Sequence, residues 1–294
     1  MKKQLKYLFV YNPVAGGGNN EQLLNQMEAH CFDKNIFWEA HPTQGKDDVS
    51  ILSQKIKGFR PDVLLIAGGD GSINQLLPAF VDQDIQLGII PAGSANGLAK
   101  SLKVDIENCW EIAFSHNYTQ IDVVKVNNKS LIHLGDLGIN ASLVKKYEET
   151  DRSGFLGYAI SAIEDFKEWE TFEVTITKGL SKLVYETSML AISNARMYGT
   201  GFELNKSGVP YDGILELNVL KPFDLKSVGR LLFSEEESMP DRPFHVIAGN
   251  QFKVNVSRKV PFQIDGEYLG EENELEISIL PNQINVKTPK ANTL

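Results

Sequence analysis

The rhythm of apolar and polar positions changes once along this chain, near residue 119. Before that point, largely apolar runs of strand length (7–11, 36–40, 63–67 and 87–90) are each followed by a cluster of Gly, Pro, Ser, Thr or Asn. Helical spacing follows the clusters, as in Val49, Ile51, Leu52 and Ile56, or Ile73, Leu76, Leu77 and Phe80. Continuous apolar runs suit strands buried on both faces, so the pattern predicts four strand–loop–helix units forming a parallel α/β sheet. Helices are expected over 21–32, from Val49, from Ser72 and over 98–102. Beyond residue 119 the chain turns to hairpin language: 121–126 alternates, Asn127-Asn128-Lys129 makes a turn, and 130–138 returns. Further strands are predicted over 172–177, 184–193, 214–220, 251–256, 260–264, 274–279 and 283–287. One helix interrupts them, over 154–169, with Leu156, Ala159, Ile160, Ile163 and Phe166 on one face. Packing on the β half explains that helix better than a lipid-facing role.

Composition narrows the function. A net charge of −9 argues against a nucleic-acid binder, which carries a basic balance or stripe. The two cysteines, Cys31 and Cys109, lie far apart without metal spacing and read as buried thiols in a reducing compartment. The five histidines show no ligand spacing, and GxSxG and GxxxxGK[ST] patterns are absent. No apolar stretch is long enough for a signal peptide core or a membrane span, so a cytoplasmic protein is expected, one that reaches any lipid from outside the bilayer.

The loops carry the candidate chemistry. In Gly68-Gly69-Asp70-Gly71-Ser72-Ile73-Asn74, glycines let backbone N–H groups approach a ligand, and the following helix start favours anions. Asp70 would repel a phosphate, which makes sense if it faces Mg²⁺ or a proton in transfer. Asn12-Pro13 with 14–18, Thr43 after the second strand, and Pro91-Ala92-Gly93-Ser94-Ala95-Asn96-Gly97 stand at the same ends of their strands. In parallel sheets ligands bind outside those carboxyl ends, so Asn12, Thr43, Asp70 and Ser94 should converge. In the β half, Asp265-Gly266-Glu267 sets two carboxylates about a glycine, a hairpin signal that would also supply a base for phosphoryl transfer. Asp212-Gly213 is a turn that could hold a hard cation.

Taken in order, Asn12-Pro13, Gly68 to Ser72, Pro91 to Asn96, Asp212-Gly213 and Asp265-Gly266-Glu267 resemble the diacylglycerol kinase catalytic-domain family, along essentially the whole chain. That family includes bacterial soluble lipid kinases, sphingosine kinases and ceramide kinases. The resemblance implies a phosphofructokinase-like α/β ATP-binding domain over 1–125, which the C-terminal strand 283–294 could join. It implies a β-sandwich domain over 126–282, with ATP between the two. It assigns Asn12, Thr43, Gly68, Gly69, Asp70, Gly71, Ser72, Asn74, Gly93 and Ser94 to the ATP site. Asp70 and Asp122 would organise Mg²⁺, Asp212 a structural metal, and Asp265 and Glu267 the base. The Asp265 turn is then expected to face the Asp70 loop across the interdomain cleft. Where the family's diacylglycerol kinases usually carry Asp after the fourth loop's Asn, this chain has Gly97, closer to the sphingosine and ceramide kinase version.

The implied activity is an ATP- and Mg²⁺-dependent lipid kinase, acting on a diacylglycerol-like or sphingoid hydroxyl at the membrane surface, with a homodimer left open. An NAD kinase-like enzyme is the alternative within the same chemistry. A phosphofructokinase fits less well, because the fourth loop lacks a TxDxD pattern. A nucleotide- or lipid-binding regulator without catalysis is the third reading, opposed by the joint presence of Asp70, Asp265 and Glu267.

Overall fold

The computed structural model describes residues 4–13, 20–32, 34, 36–149, 170–195, 197–198, 202–203, 208–221 and 244–290. The predicted helix over 154–169 and the glycine loop over 14–18 lie outside them. The chain divides into two compact units, Met1–Val123 with Pro281–Leu294, and Val124–Leu280.

In the first unit, β1 (Leu5–Tyr11), α1 (Asn20–Cys31), β2 (Ile36–Pro42), α2 (Asp48–Phe59), β3 (Val63–Gly68), α3 (Asp70–Leu76) and β4 (Gln86–Pro91) alternate. Short helices α4 (Gly97–Ser101) and α5 (Cys109–Ala113) follow, and β5 (Tyr118–Val126) leads out. The strands run parallel in the order β2-β1-β3-β4. Every residue of β3 is buried, which its apolar run requires of a strand flanked on both sides. The end of the chain returns to this sheet, where Asn285 and Val286 pair in parallel with Gln86 and Leu87. Elsewhere in this unit, the His30 ring stacks on Trp110 and Phe114 of the α5 region, at 5.4 and 5.2 Å. Cys31 and Cys109 are buried free thiols, and burial pushes each up to about 11, so both are poor nucleophiles.

The second unit continues with β6 (Lys129–Leu131), β7 (Leu134–Gly138), α6 (Ile139–Glu149), β8 (Phe172–Lys178), β9 (Ser181–Thr187) and β10 (Met189–Ser193). Next come the two-residue pair β11 (Met197–Tyr198) and β12 (Phe202–Glu203), then β13 (Leu215–Leu220), β14 (Phe244–Gly249), β15 (Gln251–Ile264) and β16 (Glu267–Lys287). β14-β13-β10-β7-β15 lie side by side and antiparallel, while β8 also pairs with β15 and carries β9. Inward side chains such as Val174, Ile176, Leu190, Ile192, Leu217 and Val254 form one core, each worth about 1.5–3 kcal/mol of burial. This is an α/β domain followed by an antiparallel β sandwich.

The pattern of apolar residues and the structure differ where long-range bonds intervene. The predicted strand 184–193 is two strands broken at Ser188, because β9 pairs with β8 whereas β10 pairs with β7 and β13. The 130–138 return is likewise broken at Ile132 and His133, whose N–H groups turn to the Asp265 carboxylate. Helix α3 starts at Asp70 rather than Ser72, with extended Gly69 as its cap and the Ile73 N–H donating to the Gly69 carbonyl at 3.1 Å. Helices α5 and α6 carry no clear sequence signal, whereas 251–264 and 267–287 are each one strand rather than two.

Gly138 closes β7 at φ +105, and a Cβ there would stand 2.2 Å from the Ser188 carbonyl oxygen. Strain and backbone overlap add, so Gly138→Ala is expected to cost roughly 2–5 kcal/mol in urea unfolding. Gly179 sits at φ +57 in the β8–β9 turn, where an added Cβ would meet nothing within 4 Å. Gly179→Ala should carry the backbone strain alone, about 1–2 kcal/mol. Equal losses at the two positions would contradict the packing described for Gly138.

Candidate active site

The glycine loops of the first unit touch through their backbones. A Cβ on Gly93 would lie 2.5 Å from the Gly69 Cα, and one on Gly69 would lie 3.1 Å from the Gly93 Cα. Only residues without side chains allow this approach. Asn96, in the left-handed region at φ 54, locks the second loop: its Oδ1 accepts the Gly93 N–H at 2.9 Å and its Nδ2 donates to the Gly93 carbonyl at 2.8 Å. Asp70 ties the loops together. It is buried, its Oδ2 accepts the Gly97 N–H at 2.8 Å and its Oδ1 accepts the Leu98 N–H at 3.0 Å. Gly97 therefore meets the Asp70 carboxylate through its backbone.

Of the other residues expected here, Gly68, Gly71, Ser72, Asn74 and Ser94 belong to the same two loops and the helix that follows the first, while Thr43 and Asp122 have partners of their own. Gly68 ends β3, and a Cβ on it would meet the Ser72 Cβ at 2.7 Å. Gly71 and Ser72 lie in the first turn of α3, and the Asn74 Oδ1 on the same helix is buried without a hydrogen-bond partner among the described residues. Ser94 is exposed. Thr43 donates its N–H to the Tyr11 carbonyl at 2.9 Å, which places it beside the end of β1 and hence near Asn12. Asp48 holds the loop after β2, accepting the Gln44 and Gly45 N–H groups at 2.8 and 2.9 Å. Asp122 is buried in β5, and its Oδ1 accepts the Asn282 N–H at 2.8 Å.

In the second unit, Asp265 and Gly266 form the two-residue turn joining β15 to β16. Both have positive φ, 49° and 88°, as a tight hairpin with matched twist requires. The Asp265 carboxylate is buried and accepts three consecutive backbone N–H groups, from Ile132 at 3.0 Å, His133 at 3.0 Å and Leu134 at 2.9 Å. Its own N–H donates to the Leu134 carbonyl at 2.7 Å. Amides turned toward a carboxylate cannot continue a ladder, which is why β6 and β7 separate here. Glu267 opens β16 with its side chain exposed. Asp212 sits in an exposed turn of its own, where its Oδ1 accepts the Ile214 N–H at 2.9 Å.

Residues without motif signals extend this arrangement. The Gln263 Oε1 accepts the Gly266 N–H at 2.9 Å, while its Nε2 donates to the Asp136 Oδ2. That same oxygen accepts the Asn140 Nδ2 at 2.5 Å. Burial pushes the Asp136 carboxyl up to about 6, against the opposing pull of Gln263, Asn140 and the Ala141 N–H. The only sequence trace of Asp136 is a lone carboxylate in the apolar stretch 134–138. Asp48 and Gln263 are equally unmarked, whereas Asn96 is visible as a member of the fourth loop.

No group of three or more His, Cys, Asp or Glu side chains that could hold a metal ion occurs among the described residues. A Mg²⁺ ion held largely by phosphates and water needs only one or two carboxylates. The Asp70 carboxylate, buried where the two glycine loops meet, is of the chemical kind that such an ion takes.

Comparison with known proteins follows the two halves. Residues 6–126 match the family model described as the diacylglycerol kinase catalytic domain. Residues 136–288 match that described as the YegS C-terminal NAD kinase beta sandwich-like domain. The diacylglycerol kinase of Bacillus subtilis (strain 168) is 26% identical over 271 residues, covering 89% of each chain. A "Probable lipid kinase YegS-like" of Enterobacter sp. (strain 638) is 22% identical over 293 residues, covering 96% of this chain and 95% of that one. The crystal structure of a diacylglycerol kinase from Bacillus anthracis str. Sterne superposes with a TM-score of 0.79 at 20% identity, covering 99% of this chain and 100% of that one, a likeness of fold.

Asp136 gives this region a pH signature. Its folded-state value of about 6 lies above the ordinary 3.8, so folding favours the protonated acid. Its contribution is therefore most favourable below about pH 4, is lost as pH rises toward 6, and levels off above. The full difference is roughly 3 kcal/mol. Urea unfolding of the parent and Asp136→Asn from pH 5 to 8 should show the parent losing about half of that relative to the variant. Parallel stability curves would contradict the assignment.

Proposed function

The chain belongs to the lipid kinase family that joins a diacylglycerol kinase catalytic domain to a YegS-type C-terminal domain, and on that premise we propose that it transfers the γ-phosphate of ATP to a lipid hydroxyl, with Mg²⁺. The observation that carries this reading is the meeting of Gly69 and Gly93, which presents backbone without side chains beside a buried carboxylate. Phosphoryl transfer asks for little else on the donor side: amides to cradle the phosphates and charge to neutralise them.

On this reading residues 1–125 with 283–294 bind ATP, and 126–282 hold the acceptor. Asn12, Thr43, Gly68, Gly69, Gly71, Ser72, Asn74, Gly93 and Ser94 line the nucleotide. Asp70 and Asp122 would hold Mg²⁺, which when bound neutralises charge on the β- and γ-phosphates. Asp212, with neighbouring backbone carbonyls, would take a structural cation. Asp265 and Glu267 divide the work on the acceptor side. Taking a proton at Asp265 would sacrifice backbone hydrogen bonds that shape the turn. Glu267, exposed two residues further on, is the proton acceptor, and Asp265 holds it in place. The lipid is met at a membrane surface; no helix among the described residues is long and apolar enough to cross a membrane.

The test is transfer of label from γ-labelled ATP to diacylglycerol, to sphingosine and to NAD, the lipids being presented in mixed micelles with Mg²⁺. A labelled lipid is expected, whereas label on NAD alone would overturn the lipid assignment. Glu267→Gln should lower kcat by about 10²- to 10⁴-fold, the usual contribution of a positioned general base, with little change in stability. Turnover at the parental rate in that variant would remove Glu267 from the chemistry.

A further inference from the structure

One face of the β14-β13-β10-β7-β15 sheet is buried yet polar in its middle. Asp136 pairs with Ala191, and Ala191 pairs with Asn218, so the three stand in a row on the same face. Asp136, Ala191 and Asn218 are all 0% exposed. The row reaches β15 through Gln263, the cross-strand partner of Asp136. Two acceptor atoms in the row, the Asp136 Oδ1 and the Asn218 Oδ1, are buried without a hydrogen-bond partner among the described residues. Orphaned acceptors of this kind are rare, because each forfeits its interaction with water. They belong to the residues on either side of Ala191 in that row.

The other polar ends of these residues are accounted for. The Asp136 Oδ2 is held by Gln263 and Asn140, and the Asn218 Nδ2 donates to the Ser193 Oγ at 2.8 Å. Both side chains are thus fixed with an acceptor left over, which is an arrangement suited to receiving a donor. The groups facing Asp136 are Gln263 from β15, Asn140 and the Ala141 N–H from α6, and Ala191 from β10, none of them charged. Further along the same sheet, Met189, Leu220 and Phe244 join Ala191 in an apolar cluster. Gln263, which holds Asp136, lies two residues before Asp265 in the same chain segment.

Resting on the lipid kinase reading, we propose that Asp136 and Asn218 determine acceptor specificity, by receiving a second hydrogen-bond donor of the lipid headgroup, an ammonium or a hydroxyl near the one to be phosphorylated. The apolar residues beyond them would take the start of the lipid chain. An acceptor lacking the second donor leaves both oxygens unpaired, and a site built for a donor rejects such an analogue strongly.

The test is equilibrium binding to the full chain in detergent micelles, without ATP, of three probes: sphingosine (an ammonium and hydroxyls), 1-monooleoylglycerol (two hydroxyls) and 1,2-dioleoylglycerol (one hydroxyl). Sphingosine, monooleoylglycerol or both should bind at least tenfold more tightly than dioleoylglycerol, and whichever is preferred identifies the donor. Asp136→Asn should reduce that preference at least tenfold while changing dioleoylglycerol binding less than twofold, and Asn218→Leu should reduce it in the same direction. Equal binding of all three probes by the parent, or a preference that survives both substitutions, would overturn the proposal and leave the two oxygens as sites for buried water. Failure of the kinase reading is seen separately, as binding preference without phosphorylation of any probe when ATP and Mg²⁺ are added.

Discussion

The second unit depends on one carboxylate. Asp265 occupies a left-handed position in a two-residue turn and collects the N–H groups of Ile132, His133 and Leu134, more than 130 residues earlier in the chain. Hydrogen bonds to a charged group contribute about 1.5–3 kcal/mol each, so this one side chain is worth a large part of a domain's net stability. It also sets shape. By drawing three amides out of the ladder it ends β6, starts β7 in a new direction, and fixes the strand that carries Gly135, Asp136 and Gly138. Gln263 completes the clamp by accepting the Gly266 N–H, so the backbone around Glu267 is held from both sides.

The same device recurs in the first unit. Asp70 holds Gly97 and Leu98, Asp48 holds Gln44 and Gly45, and Asp122 holds Asn282. In each case a buried carboxylate takes backbone donors from a segment it does not belong to, or from the loop just before it. Glycine-rich loops have little else to define them, since they lack side chains to pack. Carboxylate anchors make such loops rigid enough to position a phosphate, and the charge needed for metal chemistry comes with the anchor. In the proposed function Asp70 would both anchor and carry the charge, whereas at the second turn Asp265 would anchor and Glu267 would take the proton.

Much of the architecture was legible because it rests on local pattern. The run 63–68 is apolar throughout because β3 is flanked by β1 and β4, and the Asp265-Gly266 pair signals its hairpin by conformational preference alone. The breaks at Ile132 and Ser188 were not legible, because they follow from pairings with distant strands and from the Asp265 carboxylate. The candidate site divides in the same way. Asp70 and Asp265 stand out by their glycine neighbours, yet nothing local reveals that their oxygens are bonded to distant amides. Asp136 is hidden for a related reason: its meaning lies in Gln263, a residue 127 positions away.

The most direct measurement is amide hydrogen exchange at Ile132, His133 and Leu134 in the parent and in Asp265→Asn, which keeps the side-chain shape and tolerates the left-handed backbone. The account predicts that exchange at these three amides accelerates at least tenfold in the variant, while the Gly97 and Leu98 amides held by Asp70 keep their protection. Unchanged protection at Ile132, His133 and Leu134 would contradict the central place given to the Asp265 carboxylate.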